Sequence, residues 1–248
     1  MLTLSTLPVE LTYRILDQLN DFSLVCSMQN VCGRLNLILY TYQRYQTLNK
    51  LQLSFNQISA EKVRCLSEAL KTNNTIAELY LSFNYIGDLG VQHLANALRT
   101  SIAINTIDLQ CNAIGFEGIK YLSDALRTNT TLITLDLQCN EIGTEGAKYL
   151  SEMLMTNQSL ITLDLHENQI RDDGVKYIAD ALRTNTTLTK LHLGKNHIGD
   201  QGAEHLGDAL QINTTLKTLD LRSNRITDRG AQYLTNALLE NTVTSVDL

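Results

Sequence analysis

The sequence predicts an α/β solenoid. Short parallel strands line a concave side, helices back them on the convex side, and a small helical cap precedes them. Three observations predict it. The first is a strict period: Asn56, Asn84, Asn112, Asn140, Asn168, Asn196 and Asn224 stand 28 residues apart, and Leu53, Leu81, Leu109, Leu137, Leu165, Leu193 and Leu221 keep the same step. The second is a change of hydrophobic spacing within each period, from alternation to the three-and-four spacing of a helix. The third is size. One unit cannot bury both its own strand and its own helix, whereas stacked units can.

The unit reads LxLxxNxIxxxGxxxLxxALxxNxTLxx. Seven copies start at Leu51, Leu79, Ile107, Leu135, Leu163, Leu191 and Leu219, and an eighth begins near Val246 after a one-residue deletion. The LxL alternation predicts a short strand with one buried face. The Asn that follows sits at a bend, where its amide can bond backbone groups that a turning chain leaves unpaired. Asp88, Thr144, Asp172, Asp200 and Asp228 come next, where a helix N-cap belongs. Val91, Leu94, Ala97 and Leu98 then mark one buried helical stripe. An Asn-Thr-Thr segment ends the helix and returns the chain to the next strand.

The unit resembles the leucine-rich repeat of the ribonuclease-inhibitor type. It is most similar to the repeats of NOD-like receptors, as in "NHIGDQGAEHLGDALQINTTLKTLDLRSN" at 196–224. The resemblance covers residues 45–248 and implies a horseshoe arc with parallel strands inside and helices outside. A fold of this kind says little by itself about function.

Residues 1–44 lie outside the repeat. Pro8 suits a first helical turn. Leu11, Ile15, Leu16 and Leu19 make one apolar stripe. After the polar break at Asn20-Asp21, residues Leu24 to Leu39 make another, so two or three short helices are expected. Such a segment can cap the open first repeat. It also resembles an F-box: Leu7-Pro8-x-Glu10-Leu11, Ile15-Leu16-x-x-Leu19 and Asn30-Val31-Cys32-x-Arg34-Leu35 follow that family's pattern in order. The tryptophan common after the Arg is missing. The resemblance implies docking on a Skp-type linker protein through Leu7, Pro8, Ile15 and Leu16, and so membership of a cullin-RING ubiquitin ligase.

Composition excludes several classes. The net charge is −6, with +1 on residues 1–50 and −7 on the rest. An acidic body does not suit nucleic acid. No apolar run spans a bilayer, and the N-terminus does not read as a secretory signal. Five cysteines, Cys26, Cys32, Cys65, Cys111 and Cys139, show no CxxC spacing. Reduced thiols in a cytoplasmic or nuclear protein are expected. No cofactor is implied.

Function is therefore expected on the concave face, beside the strand leucines. One column there reads Gln52, Tyr80, Asp108, Asp136, Asp164, His192, Asp220. The next reads Ser54, Ser82, Gln110, Gln138, His166, Gly194, Arg222. A third reads Phe55, Phe83, Cys111, Cys139, Glu167, Lys195, Ser223. Phe55, Tyr80 and Phe83, with Tyr85, form an aromatic patch suited to a protein partner or to packing on the N-terminal helices. Asp108, Asp136 and Asp164 form a row of like charges, either solvated or facing a cationic ligand. His166, His192, Lys195 and Arg222, with His197 and Arg225, read as a polar recognition rim or a solvated face. On the helices, Tyr121, Tyr149, Tyr177 and Tyr233 are expected to pack helix against helix.

Asp164, His192 and Asp220 share a column but lack a nucleophile, so no catalytic triad is implied. His166 and His192 fall short of the four ligands of a structural zinc. Cys111 and Cys139 fall in "LDLQCNEIG" at 135–143 and its near copy at 107–115. They should be strand neighbours within disulfide range on paper but free thiols in a reducing compartment. The leading reading is a non-enzymatic interaction adaptor that docks a linker through its N-terminus and captures a protein on its concave face. The alternatives are an inhibitor-like or immune-sensor-like binding scaffold and a Ran GTPase-activating-protein-like regulator. The chain ends as a new strand begins, so its last edge is expected to be covered by further chain or by a partner.

Overall fold

The computed structural model describes residues 47–238 and 245–248, together with Val9, Gln18 and Asn20. Leu7, Pro8, Ile15 and Leu16, and the expected N-terminal helices, lie outside the described residues. From Lys50 onward strands and helices alternate: β1 (Lys50–Gln52), α1 (Ala60–Leu70), β2 (Glu78–Tyr80), α2 (Gly87–Leu98), β3 (Thr106–Asp108), α3 (Phe116–Leu126), β4 (Thr134–Asp136) and α4 (Gly143–Leu154). They continue as β5 (Thr162–Asp164), α5 (Arg171–Leu182), β6 (Lys190–His192), α6 (Asp200–Leu210), β7 (Thr218–Asp220), α7 (Asp228–Leu238) and β8 (Ser245–Asp247).

The eight strands form one parallel sheet in sequence order. Each helix packs on the next. The pairing register equals the sequence period, so Leu79 faces Ile107, which faces Leu135. A single core runs through the stack, and Leu51, Leu79, Leu109, Leu137, Leu165 and Leu193 are all buried in it. Parallel strands need a crossover element, and the helical half of each repeat supplies it.

The bend asparagines hold the stack along its length. Asn84 Oδ1 accepts from the backbone N–H groups of Asn56 (3.0 Å) and Ile58 (2.8 Å), while Nδ2 donates to the carbonyls of Leu53 and Leu81. A second ladder stands at the helix ends. Asn129 Oδ1 accepts from the N–H groups of Thr131 and Leu132, and its Nδ2 reaches back to Leu98 O at 2.9 Å. Each such amide satisfies buried backbone groups of two repeats, and losing one costs about 1–3 kcal/mol.

The expected N-caps are corrected. None of the residues at the N-caps of α1 to α6 makes a side-chain capping bond. Asp88 sits in the first turn of α2, and its Oδ1 accepts the N–H of Gly115, at the start of α3 (2.7 Å). Asp172 does the same for Gly199 and Gly202 at α6 (2.6 and 3.2 Å), and Asp200 for Thr227 and Gly230 at α7 (2.8 and 3.1 Å). In a stack with this period, a donor 27 residues away is as near as one three residues away.

The same carboxylate sorts the bends into two forms. Where the preceding repeat presents Asp, the residue before the helix is extended, as at Gly115 (φ −94°) and Gly199 (φ −104°). Where it presents Ala60, Phe116 or Thr144, the corresponding residue turns left-handed: Gly87 (φ 58°), Gly143 (φ 62°) and Arg171 (φ 62°). In that form the N–H bonds a carbonyl of the next bend instead, Asn112 O, Asn168 O or Asn196 O. In two of the three left-handed bends the next asparagine loses its acceptor role, which leaves Asn112 Oδ1 and Asn168 Oδ1 buried without a partner among the described residues.

Candidate binding face

The open face of the sheet carries the three expected columns in register: Tyr80 faces Asp108, Asp108 faces Asp136, Asp136 faces Asp164, Asp164 faces His192, and His192 faces Asp220. The column just before the bend asparagines is left-handed throughout. Phe55, Phe83, Cys111, Cys139, Glu167, Lys195 and Ser223 have φ between 52° and 60°. This position lacks Gly in all seven repeats, so the sequence gives no sign of it.

At the first repeats Phe55 and Phe83 stack with ring centroids 4.4 Å apart, and Phe55 is 71% exposed. Tyr80 does not join them. Its hydroxyl donates to Glu78 Oε2 (2.9 Å), and Lys50 Nζ lies 4.3 Å from its ring centre and 3.6 Å from Glu78.

In the middle, Asp108, Asp136 and Asp164 each accept the N–H two residues on, at Gln110, Gln138 and His166. Gln138 Nε2 bridges Asp136 (3.1 Å) and Asp164 (2.9 Å). Partial burial, and then the flanking charges of Asp164 and Asp108, push the Asp136 carboxyl up to about 6. Burial also raises that of Asp164.

Towards the C-terminal strands the face mixes charge, with basic side chains paired to carboxylates. Arg222 grips Asp220 with a fork, Nε to Oδ1 (2.9 Å) and Nη2 to Oδ2 (2.5 Å), and holds that carboxyl down at about 2. His192 Nδ1 stands 3.7 Å from the same carboxylate. His166 lies over Gly194, where any Cβ would collide with its Nδ1. Lys195 pairs with Glu167 (3.2 Å), which lowers the Glu167 carboxyl.

Cys111 and Cys139 are free thiols. Burial, with the Cys111 thiol and the Glu167 carboxylate beside it, pushes Cys139 up to about 12. Among the described residues no three His, Cys, Asp or Glu side chains gather as a metal set, and no helix is long and apolar enough to cross a membrane. On the helices, Tyr149 packs partly buried against the core, and Lys120 Nζ lies 5.8 Å from its ring centre.

Two features of the face were not expected from the sequence. One is the Gln138 bridge. The other is a groove at the bends, lined by Arg171, Asp172, Asp173, His197, Gln201 and Arg225. The signal for it was present: Arg171 stands where the repeat elsewhere has Gly, Ser or Thr.

Six segments, 46–67, 72–95, 128–151, 156–179, 184–207 and 213–234, match the Leucine Rich repeat family and together make up more than half of the chain. The chain belongs to the Leucine Rich repeat family. The unmatched segment between residues 95 and 128 still folds as β3 and α3, although Ser101 replaces the helix-end asparagine of its neighbours. Among solved structures, the tropomodulin C-terminal domain of Caenorhabditis elegans is similar over 73% of this chain and 98% of its own, at 14% identity and a TM-score of 0.50. Leiomodin-1 Actin-Binding Site 2 matches 49% of this chain and 70% of its own, at 27% identity and a TM-score of 0.43. At 14% identity the likeness to the tropomodulin domain speaks for the fold alone. No curated protein matches the chain by sequence. Leucine-rich repeat stacks of this kind are protein-binding scaffolds that present one extended face to a partner.

Proposed function

We propose that the protein is a non-enzymatic adaptor in which residues 45–248 hold a protein target and residues 1–44 connect it to a cullin-RING ubiquitin ligase. One observation supports target capture above the rest. The open face carries unlike side chains in fixed register, an aromatic stack first, then a row of carboxylates, then paired charges of both signs. A core needs no such sequence of side chains, whereas a partner with complementary charge and an apolar contact does. The ligase connection rests on the F-box-like order of Leu7, Pro8, Ile15 and Leu16 ahead of the repeats, and it implies an intracellular site of action.

The test is capture of a Skp-type linker by the full chain and by a Leu7→Ala/Pro8→Ala variant. Retention by the first and loss by the second supports the adaptor. No retention by the intact chain removes the ligase role and leaves a binding scaffold. Target capture is tested separately, by mass spectrometry of material bound to the intact chain and to a Phe55→Ala/Phe83→Ala variant.

A further inference from the structure

The helix-end asparagines carry a second pattern. The chain has five Asn-x-Ser/Thr sequons, at Asn73, Asn129, Asn157, Asn185 and Asn213, and all five fall on this one position of the repeat. None has proline in the middle, since the chain's one proline is Pro8. By sequence these are acceptors for N-linked glycan, a modification of exposed loops in secreted proteins. The structure places them elsewhere. All five residues are buried, between 2% and 7% exposed.

In four of them the acceptor atom is itself committed. Asn129 Nδ2 donates to Leu98 O (2.9 Å), Asn157 Nδ2 to Leu126 O (2.8 Å), Asn185 Nδ2 to Leu154 O (2.8 Å) and Asn213 Nδ2 to Leu182 O (2.7 Å). Asn157 and Asn213 also donate to Asn129 O and Asn185 O. Each Oδ1 meanwhile accepts two backbone N–H groups of its own turn. The amide cannot swing outwards without breaking all of these. In Asn73 Nδ2 reaches Thr75 Oγ1 (3.3 Å), within its own turn. The hydroxyl that completes the sequon has a place in the fold as well. Ser159, Thr187 and Thr215 donate to the carbonyls of Asn129, Asn157 and Asn185. The Asn-x-Ser/Thr spelling is a product of the turn.

Glycan transfer joins Nδ2 to C1 of a sugar, breaks the bond from C1 to a lipid pyrophosphate and releases one Nδ2 proton. The product amide keeps one N–H. A bulky sugar then stands where the carbonyl of the preceding repeat met it. A donor lost from a buried carbonyl and a sugar wedged between close-packed repeats both oppose stacking. The stacked form in turn offers a transferase no free Nδ2. Order of events decides between the two. A repeat is buried by its neighbours, so each asparagine lies open until the next repeat has been made, about 1–6 s at ordinary rates of synthesis. We propose that Asn129, Asn157, Asn185 and Asn213 are N-glycan acceptors in the unstacked chain alone, that glycan on any of them excludes the stack, and that the protein therefore folds in a compartment without N-linked glycan transfer. The exclusion holds whether or not the chain docks a linker or captures a target.

The test sends the full chain, behind a cleavable secretion signal, into the glycosylating lumen of a eukaryotic host, beside the same chain made in the cytosol. Mass spectrometry reads site occupancy, and limited proteolysis reads folding. The cytosolic chain should be unmodified and resistant. The lumenal chain should carry glycan at one or more of the four asparagines, and the modified fraction should lose its resistance. Two rescues separate the glycan from the compartment. With synthesis of the lipid-linked oligosaccharide blocked, the lumenal parent chain should regain resistance. So should a lumenal Thr75→Ala/Thr131→Ala/Ser159→Ala/Thr187→Ala/Thr215→Ala variant, which keeps every asparagine and no sequon. The turn between α2 and β3 already has Ser101 and Ala103 at these two places. A resistant lumenal chain with glycan at any of the four, a lumenal parent that folds unmodified without the block, or a blocked chain that stays sensitive while the cytosolic chain resists would each overturn the proposal.

Discussion

Asp136 and Asp220 occupy the same position of two different repeats, three rungs apart in one column, yet their carboxyls shift in opposite directions. Both accept the N–H of the residue two places on. Both lie against the same sheet. The Asp136 carboxyl rises to about 6, whereas that of Asp220 falls to about 2. Burial is the first cause of the Asp136 rise, and the neighbouring column is the first cause of the Asp220 fall. Beside Asp136 stands Gln138, a neutral amide shared with Asp164; beside Asp220 stands Arg222, a charge that forks onto Asp220. The repeat fixes where a side chain points, while burial and the residue two places away set how tightly its carboxyl holds a proton. A solenoid can thus vary its binding face while keeping its core leucines.

The largest expected effect comes from making Asp220 resemble Asp136. Asp220 is only 3% exposed, so Arg222→Gln leaves a desolvated carboxylate without its strongest partner. Stability at neutral pH should fall, since the buried Asp220 carboxylate keeps its desolvation and loses its fork. The Asp220 titration should move up to or above the ordinary carboxylate range. Urea denaturation measures the first and NMR titration the second. An unchanged midpoint would mean that the fork is a surface ornament.

The two carboxylates also tilt stability in opposite directions with pH. Asp220 has a folded value below its ordinary 3.8. Its contribution is present above about pH 4 and is lost as pH falls towards 2. Asp136 has a folded value above its ordinary 3.8. Between about pH 4 and 6 the folded state holds the proton that the unfolded state has released, so stability falls as pH rises through that window and is flat above it. The full shift corresponds to about 3 kcal/mol, which solvent on the open side reduces to about 1–1.5 kcal/mol. Thermal melts from pH 4 to 7 should show the decline, and Asp136→Asn should flatten it.

Converting in the other direction gives a smaller gain. Gln138→Arg would place a guanidinium between Asp136 and Asp164. The Asp136 titration should drop towards the Asp220 value, and stability at pH 7 should rise by about 1 kcal/mol. An Asp136 titration that stays near 6 would mean that burial outweighs charge at this rung.

The period, the strands, the helices and the columns were all legible, because a repeat at fixed spacing writes its contacts into the sequence. Asp108 beside Asp136 follows from the number 28 alone. What the sequence hid were contacts between non-equivalent positions of neighbouring repeats. Asp88 reads as a cap for its own helix and instead caps the next, since Gly115 is brought to it by stacking. Tyr80 reads as part of the Phe55 and Phe83 patch, but its hydroxyl turns to Glu78. The left-handed bend at Arg171 was hidden for a related reason. The bend's form is set by Thr144 of the preceding repeat, and no local propensity carries that information.

The smallest effect asks whether the acidic row acts as a row or as separate carboxylates. After burial, the charge of Asp164 raises the Asp136 carboxyl, and that of Asp108 raises it less. Asp164→Asn should therefore lower the Asp136 titration by roughly half a pH unit, and Asp108→Asn by less. The asymmetry has a structural cause: Gln138 ties Asp164 to Asp136, and no such bridge links Asp108 to Asp136. Asp164 meets the His166 N–H with Oδ1 and the Gln138 amide with Oδ2, so asparagine at 164 removes the charge and keeps an acceptor for one of the two donors. If both variants shift Asp136 equally, the bridge has no electrostatic role and distance along the column is all that matters. If neither does, burial alone raises Asp136. The row then offers a cationic partner one protonatable carboxyl in place of a coupled set.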